Sequence, residues 1–167
     1  MQKVLASGFT SSGSNPQFGI GDSIPSAGSI LAASAAQHKQ DATSNVGAFA
    51  VFIRSGSFGT QFVQYPTATS IFVGTGFSGS SVIVAISISG DGNTIVSGGG
   101  ADNSNLGSAW VFTRTGVSGY TQLQDKLTLI TSGYSGSSQI ATSVALSYDA
   151  TTLAVGAIAD NTNGGAV

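Results

Sequence analysis

The chain has 167 residues, 24 of them Gly, with a net charge of −2, seven Asp, no Glu and no Cys. Only 7% of residues are charged and the five basic ones are scattered, which argues against a nucleic-acid partner; the lack of Cys removes disulfides and thiol chemistry. No apolar run approaches the roughly 20 residues that span a bilayer, so membrane insertion is not expected.

Helices lean on Glu, Lys, Gln and Leu, whereas Gly turns and β-branched residues suit short strands. Gln2-Lys3-Val4-Leu5-Ala6-Ser7 carries one positive charge and too short an apolar stretch for a signal peptide. Residues 1–8 read as the outer strand of an incomplete unit, followed by a connection at Gly8-Phe9-Thr10-Ser11. A first unit covers 17–72, with strand–turn–strand over Ile24-Pro25-Ser26-Ala27-Gly28-Ser29-Ile30-Leu31 and a further strand in Ala48-Phe49-Ala50-Val51-Phe52-Ile53-Arg54.

The second unit, 82–130, is the clearest. Val82-Ile83-Val84-Ala85-Ile86-Ser87-Ile88 is a strand, and Gly90-Asp91-Gly92-Asn93 suits the positive φ of a hairpin turn. A second strand follows over 94–98, then the polar loop Ala101-Asp102-Asn103-Ser104-Asn105 and a third strand over 108–114. The fourth runs from Tyr120 to about Ile130, and a Ser/Gly stretch around Tyr134 leads to a third unit, 139–167, read as truncated.

Three landmarks recur in one order. Asn45-Val46-Gly47 returns as Asn105-Leu106-Gly107 (107 minus 47 is 60) and as Asn163-Gly164-Gly165 (165 minus 107 is 58). Ser87-Ile88-Ser89-Gly90-Asp91 returns as Ala145-Leu146-Ser147-Tyr148-Asp149, and Gly8-Phe9 returns as Gly76-Phe77 and Gly133-Tyr134. Small sheets of about 60 residues, each unable to bury both faces, must stack on their neighbours. Four strands per unit without a helix predicts an all-β fold of four-stranded antiparallel β-propeller blades, about three in this chain with incomplete ends.

At these residues the chain resembles the FG-GAP repeats of integrin α-subunit propellers and their bacterial and viral relatives. Gln17-Phe18-Gly19 stands at the Phe-Gly of such repeats, and Gly107-Ser108-Ala109-Trp110-Val111-Phe112 resembles their third strand. The Pro of the Gly-Ala-Pro motif is absent from all three copies. The resemblance implies an extracellular, cell-surface or virion protein whose ligands meet the loops after the second strands and the connections between blades. Calcium loops of some relatives need several oxygen ligands; one carboxylate per hairpin, Asp91 or Asp149, reads as a plain turn, so no metal or other cofactor is expected.

Candidate ligand residues are therefore Asp41, Asp102, Asn103, Asp160 and Asn161 in the loops, and Phe9, Phe77 and Tyr134 in the connections. Each has a plainer role: Asx turns for the loops, plugs between blades for the aromatics. His38, the one histidine, lies in the polar stretch Gln37-His38-Lys39-Gln40-Asp41 and reads as a solvated loop residue. No acid, base and nucleophile set is visible, so the chain is not expected to be an enzyme.

The function expected is a structural or adhesive propeller contacting protein or glycan; the alternative is a lectin-like carbohydrate binder with one site per blade. Partners are expected to be a second copy, joined head to tail into a ring, or further parts of a longer chain.

Overall fold

The computed structural model describes residues 3–9, 17–40, 45–55, 61–67, 70–79, 83–116, 119–128, 137–160 and 164–167. Strands form 48% of it and helix 5%, and the sheets are antiparallel, so the class is all-β. The first sheet holds β1 (Phe18–Ser23), β2 (Ile30–Ala35), β3 (Ala48–Ser55) and β4 (Gln61–Tyr65), in that order. The second holds β5 (Ala85–Ile88), β6 (Thr94–Gly99), β7 (Ser108–Arg114) and β8 (Tyr120–Gln122), with a single turn whose backbone is left-handed over 103–105, α1 (Asp102–Asn105), between β6 and β7. The third pairs β9 (Ile140–Leu146) with β10 (Leu153–Ala157).

The repeat extends to atomic register. Ala35 faces Ala48 in the first sheet, Gly99 faces Ser108 in the second, and Ala157 bridges Ala166 in the third. The turn of the second unit also recurs in the third. Ser89 Oγ–H donates to Asp91 Oδ1 at 2.6 Å and Ser147 Oγ–H to Asp149 Oδ1 at 2.7 Å. Each Ser then accepts from a Thr amide, Thr94 at 3.0 Å and Thr152 at 2.9 Å. These bonds hold both carboxyls below the usual carboxylate range.

Side chains alternate across a strand, and here both faces are apolar. From β7, Trp110 and Phe112 join a core shared with the first sheet, where Phe49 and Val51 of β3 meet Ile86, Ile88 and Ile95 of β5 and β6. Its opposite side, Ala109 with Val111, joins Val96 in a second core against Ile140, Val144, Leu153 and Val155 of the third sheet. The remaining face of the first sheet, Ala33, Ala50 and Phe52, is covered by Val4, Ala6, Phe9 and Phe18. Each fully buried Ile, Val or Phe contributes about 1.5–3 kcal/mol, so these faces supply the drive for sheet to lie on sheet.

The Asn-x-Gly landmark has a steric origin. Gly47 and Gly107 have φ of 70° and 91°, and a Cβ on either would strike backbone of the next unit, at Ile83 and at Ile140. Only glycine serves both the left-handed backbone and the close approach. Gly107 and Ile140 form a parallel bridge there.

Two expectations are corrected. His38 is not a solvated loop residue: it is 4% exposed, its ring lies edge-on to Phe9 at 5.7 Å, and its carbonyl accepts from the Val46 and Gly47 amides. Packing of segment 3–9 over the first sheet encloses it. The fourth strand of the second unit is not continuous to about 130 either. β8 ends at Gln122, the chain bends, and Leu127 rejoins by bridging Ala109.

Candidate functional site

In the second unit the loop between the second and third strands runs from Gly99 to Ser108. Asn103, Ser104 and Asn105 adopt left-handed φ of 50°, 59° and 69°, a region that Asn enters more readily than most residues. The turn points these three outward, exposed, while Asp102 beneath them is fully buried.

Asp102 ties four segments together. Its Oδ1 accepts from the Ser78 amide at 2.7 Å, and its Oδ2 accepts from Ser108 Oγ at 2.6 Å and Lys126 Nζ at 2.5 Å. Its carbonyl receives the Gly107 amide, and the Asn103 amide reaches back to the Ser78 carbonyl. Asp160 stands at the corresponding place in the third unit. It is buried, accepts from Ser138 Oγ at 3.1 Å, and its carbonyl receives the Gly165 amide. Asp102 and Asp160 thus sit inside the loops, while Asn103 sits at the surface.

The aromatics of the connections face inward. Phe9 packs on Phe18 at 5.5 Å and beside His38, and Phe77 lies partly buried against the core between the first two sheets. Asp41, Tyr134 and Asn161 lie outside the described residues. No three His, Cys, Asp or Glu side chains come together among the described residues. Both oxygens of Asp91 are engaged by the turn itself, with Asn93 donating to each.

Three features escaped the sequence reading. Lys126 is the counter-ion of Asp102, 24 residues away in the chain; the alignment of Lys3 with Lys126 in the repeat was the available signal. Gln64 clamps the opening segment, accepting from the Ser7 amide and donating to the Ser7 and Ser70 carbonyls. The third is an apolar groove beside β10, invisible to any local pattern because it forms between two sheets. Comparison with known proteins finds no matching family model and no matching curated protein.

Proposed function

We propose that this chain is a run of β-propeller blades with a non-catalytic, structural or adhesive role at a cell surface or on a virus particle. The observation that carries the reading is that the same sheet-to-sheet packing is made twice. β3 and β7 each turn one face forward and one back, and each second-to-third-strand hairpin keeps one register. Blades that repeat a face at both ends continue until they close or meet a partner. Contact with protein or glycan then falls to the exposed loop tips such as Asn103–Asn105, since Phe9 and Phe77 are engaged in packing.

Two measurements test this. Sedimentation of the chain is expected to give twice its mass, as two copies closing head to tail into a six-bladed ring; a compact monomer with no tendency to associate counts against closure. Immobilised chain on glycan and extracellular-protein arrays is expected to retain a ligand, and a variant with Asn103→Ala and Asn105→Ala to retain much less of it. Hydrolytic turnover abolished by changing a single Asp would overturn the non-catalytic reading.

A further inference from the structure

One buried seat recurs beneath the loop between second and third strands. In each unit the amide of the repeat glycine donates to the carbonyl of the seated residue: Gly107 to Asp102 at 2.9 Å, Gly165 to Asp160 at 3.0 Å, and Gly47 to His38 at 3.1 Å. All three seated side chains are buried, and each meets the connection that enters its unit. Asp102 accepts from the Ser78 amide and Asp160 from the Ser138 hydroxyl, whereas His38 lies against the ring of Phe9. Every unit thus seals a titratable group at this place, and in the first it is an imidazole.

The surroundings of the first seat differ as well. The registers Ala35–Ala48 and Gly99–Ser108 put Ala48 where Ser108 stands. The bridges Phe49–Phe72 and Ala109–Leu127 put Ile71 where Lys126 stands. Asp102 has a hydroxyl and an ammonium at those two places, while the first unit offers only hydrocarbon there. The charged groups on the elements packed around His38 are Lys3 on segment 3–9, Lys39 next to it, and Asp41, which lies outside the described residues. Asp22 stands four residues along β1 from the Phe18 that Phe9 touches, and Arg54 is near the far end of β3. The stretch from Gln61 to Phe72 carries no charge. An imidazolium is disfavoured in such a setting, and burial pushes His38 below its usual range.

We infer that His38 is an acid-operated latch: protonation draws the imidazole out to water, parts segment 3–9 from the first sheet and loosens the Val46 and Gly47 amides, while the corresponding seam at Asp102 stays closed. The closed first seam refuses a proton that the opened one accepts, so mild acid favours opening. At the second seam the Lys126 counter-ion and the bonds from Ser78 and Ser108 favour the ionised carboxylate, so the same acid leaves it unchanged. The loop face of the first unit then changes shape with pH, whatever the loop tips contact.

The test is amide hydrogen exchange of the 167-residue chain by NMR at about pH 7.5 and about pH 5, each rate divided by its intrinsic rate at that pH. Protection of the Ser7, Val46 and Gly47 amides, bonded to Gln64 and to the His38 carbonyl, is expected to fall by about tenfold or more. The lower pH lies about 1.5 units below the ordinary imidazole pKa of about 6.5, which sets that scale. The Ser78, Asn103 and Gly107 amides of the second seam should change by less than about twofold. His38 is the one histidine, so its single imidazole signal should titrate together with the loss of protection. In His38→Gln the fall at the first seam should vanish. The two seams are compared within the unchanged protein, so the outcome does not hinge on whether that variant folds. An equal fall at both seams, no fall at the first, or a fall that survives in a folded His38→Gln protein would overturn the proposal.

Discussion

Replacing Gly74 by Ala tests the packing of the Trp110 indole between the first two sheets. The Trp110 indole is 1% exposed and its Nε1–H donates to the Thr75 carbonyl at 2.8 Å. A Cβ on Gly74 would lie 2.6 Å from Trp110 Cδ1 and Nε1, far inside the ~3.5–4.0 Å of favourable contact. The backbone at Gly74 is outside the left-handed region, so the residue is needed for its lack of volume. Overpacking of this kind costs about 1–3 kcal/mol, and Trp110→Ala, which empties the same space, costs about 3–5 kcal/mol. Because both changes act on one volume, they should not add. In the double variant the new methyl enters the space left by the indole, and the total loss should fall short of the sum by about 1–3 kcal/mol. Urea unfolding of the four proteins, followed by far-UV circular dichroism with the slope checked for constancy, measures this. Additivity within about 0.5 kcal/mol, or a Gly74→Ala protein as stable as the parent, would refute the reasoning.

Other sites give sharper single outcomes. Ser97 Oγ is buried and has no hydrogen-bond partner among the described residues, while Ala33 stands at its place in the first sheet; Ser97→Ala is expected to raise the unfolding free energy by about 1 kcal/mol. Asp102→Ala leaves the Ser78 amide, the Ser108 hydroxyl and Lys126 without their acceptor, and chemical denaturation should register a loss of about 3–5 kcal/mol. Gly107→Ala meets both a forbidden φ and the Ile140 backbone, so hydrogen exchange in β9 and β10 should rise well above that in β2 and β3. Burial pushes the His38 imidazole below its usual range. A lowered folded pKa means that, below about 6.5, the unfolded chain binds a proton the folded one refuses, so stability is present above that value and lost as the pH falls through it. Stability should fall from about pH 7 to about pH 5 by more in the parent than in a His38→Gln variant; parallel curves would disprove the assignment.

How far the chain alone reveals this molecule depends on the range of the interaction concerned. Turns such as Gly90-Asp91-Gly92-Asn93 were legible because Asp91 bonds residues two positions away, and Gly92 carries the positive φ, 73°, that the pattern demanded. The third strands were legible because Val51-Phe52 and Arg54 return as Val111-Phe112 and Arg114 at the same offset as the Asn-x-Gly before them. His38 misled because its neighbours Gln37, Lys39 and Gln40 are polar, while what buries it, Phe9, arrives from 29 residues upstream (38 minus 9). The polar loop over 101–105 was legible as a connection between two strands, but the division of its residues was not. Asp102 went inside and Asn103 outside, through bonds to Ser78, Ser108 and Lys126 that no local pattern contains.

What the sequence determined by itself was a rhythm: glycine, Asx turn and alternating strand at a spacing near 60 residues, which is enough to impose strand-rich units and a need to stack, since local backbone preferences and side-chain alternation act within a few residues. Tertiary structure alone decided which face met which neighbour. It set Trp110 against Gly74 and Gly107 against Ile140, and it brought Ala109 and Leu127 of the second unit over Leu153 and Val155 of the third. Those outcomes depend on volumes and hydrogen-bonding edges supplied by residues tens of positions apart, and such complementarity exists only once the sheets have come together.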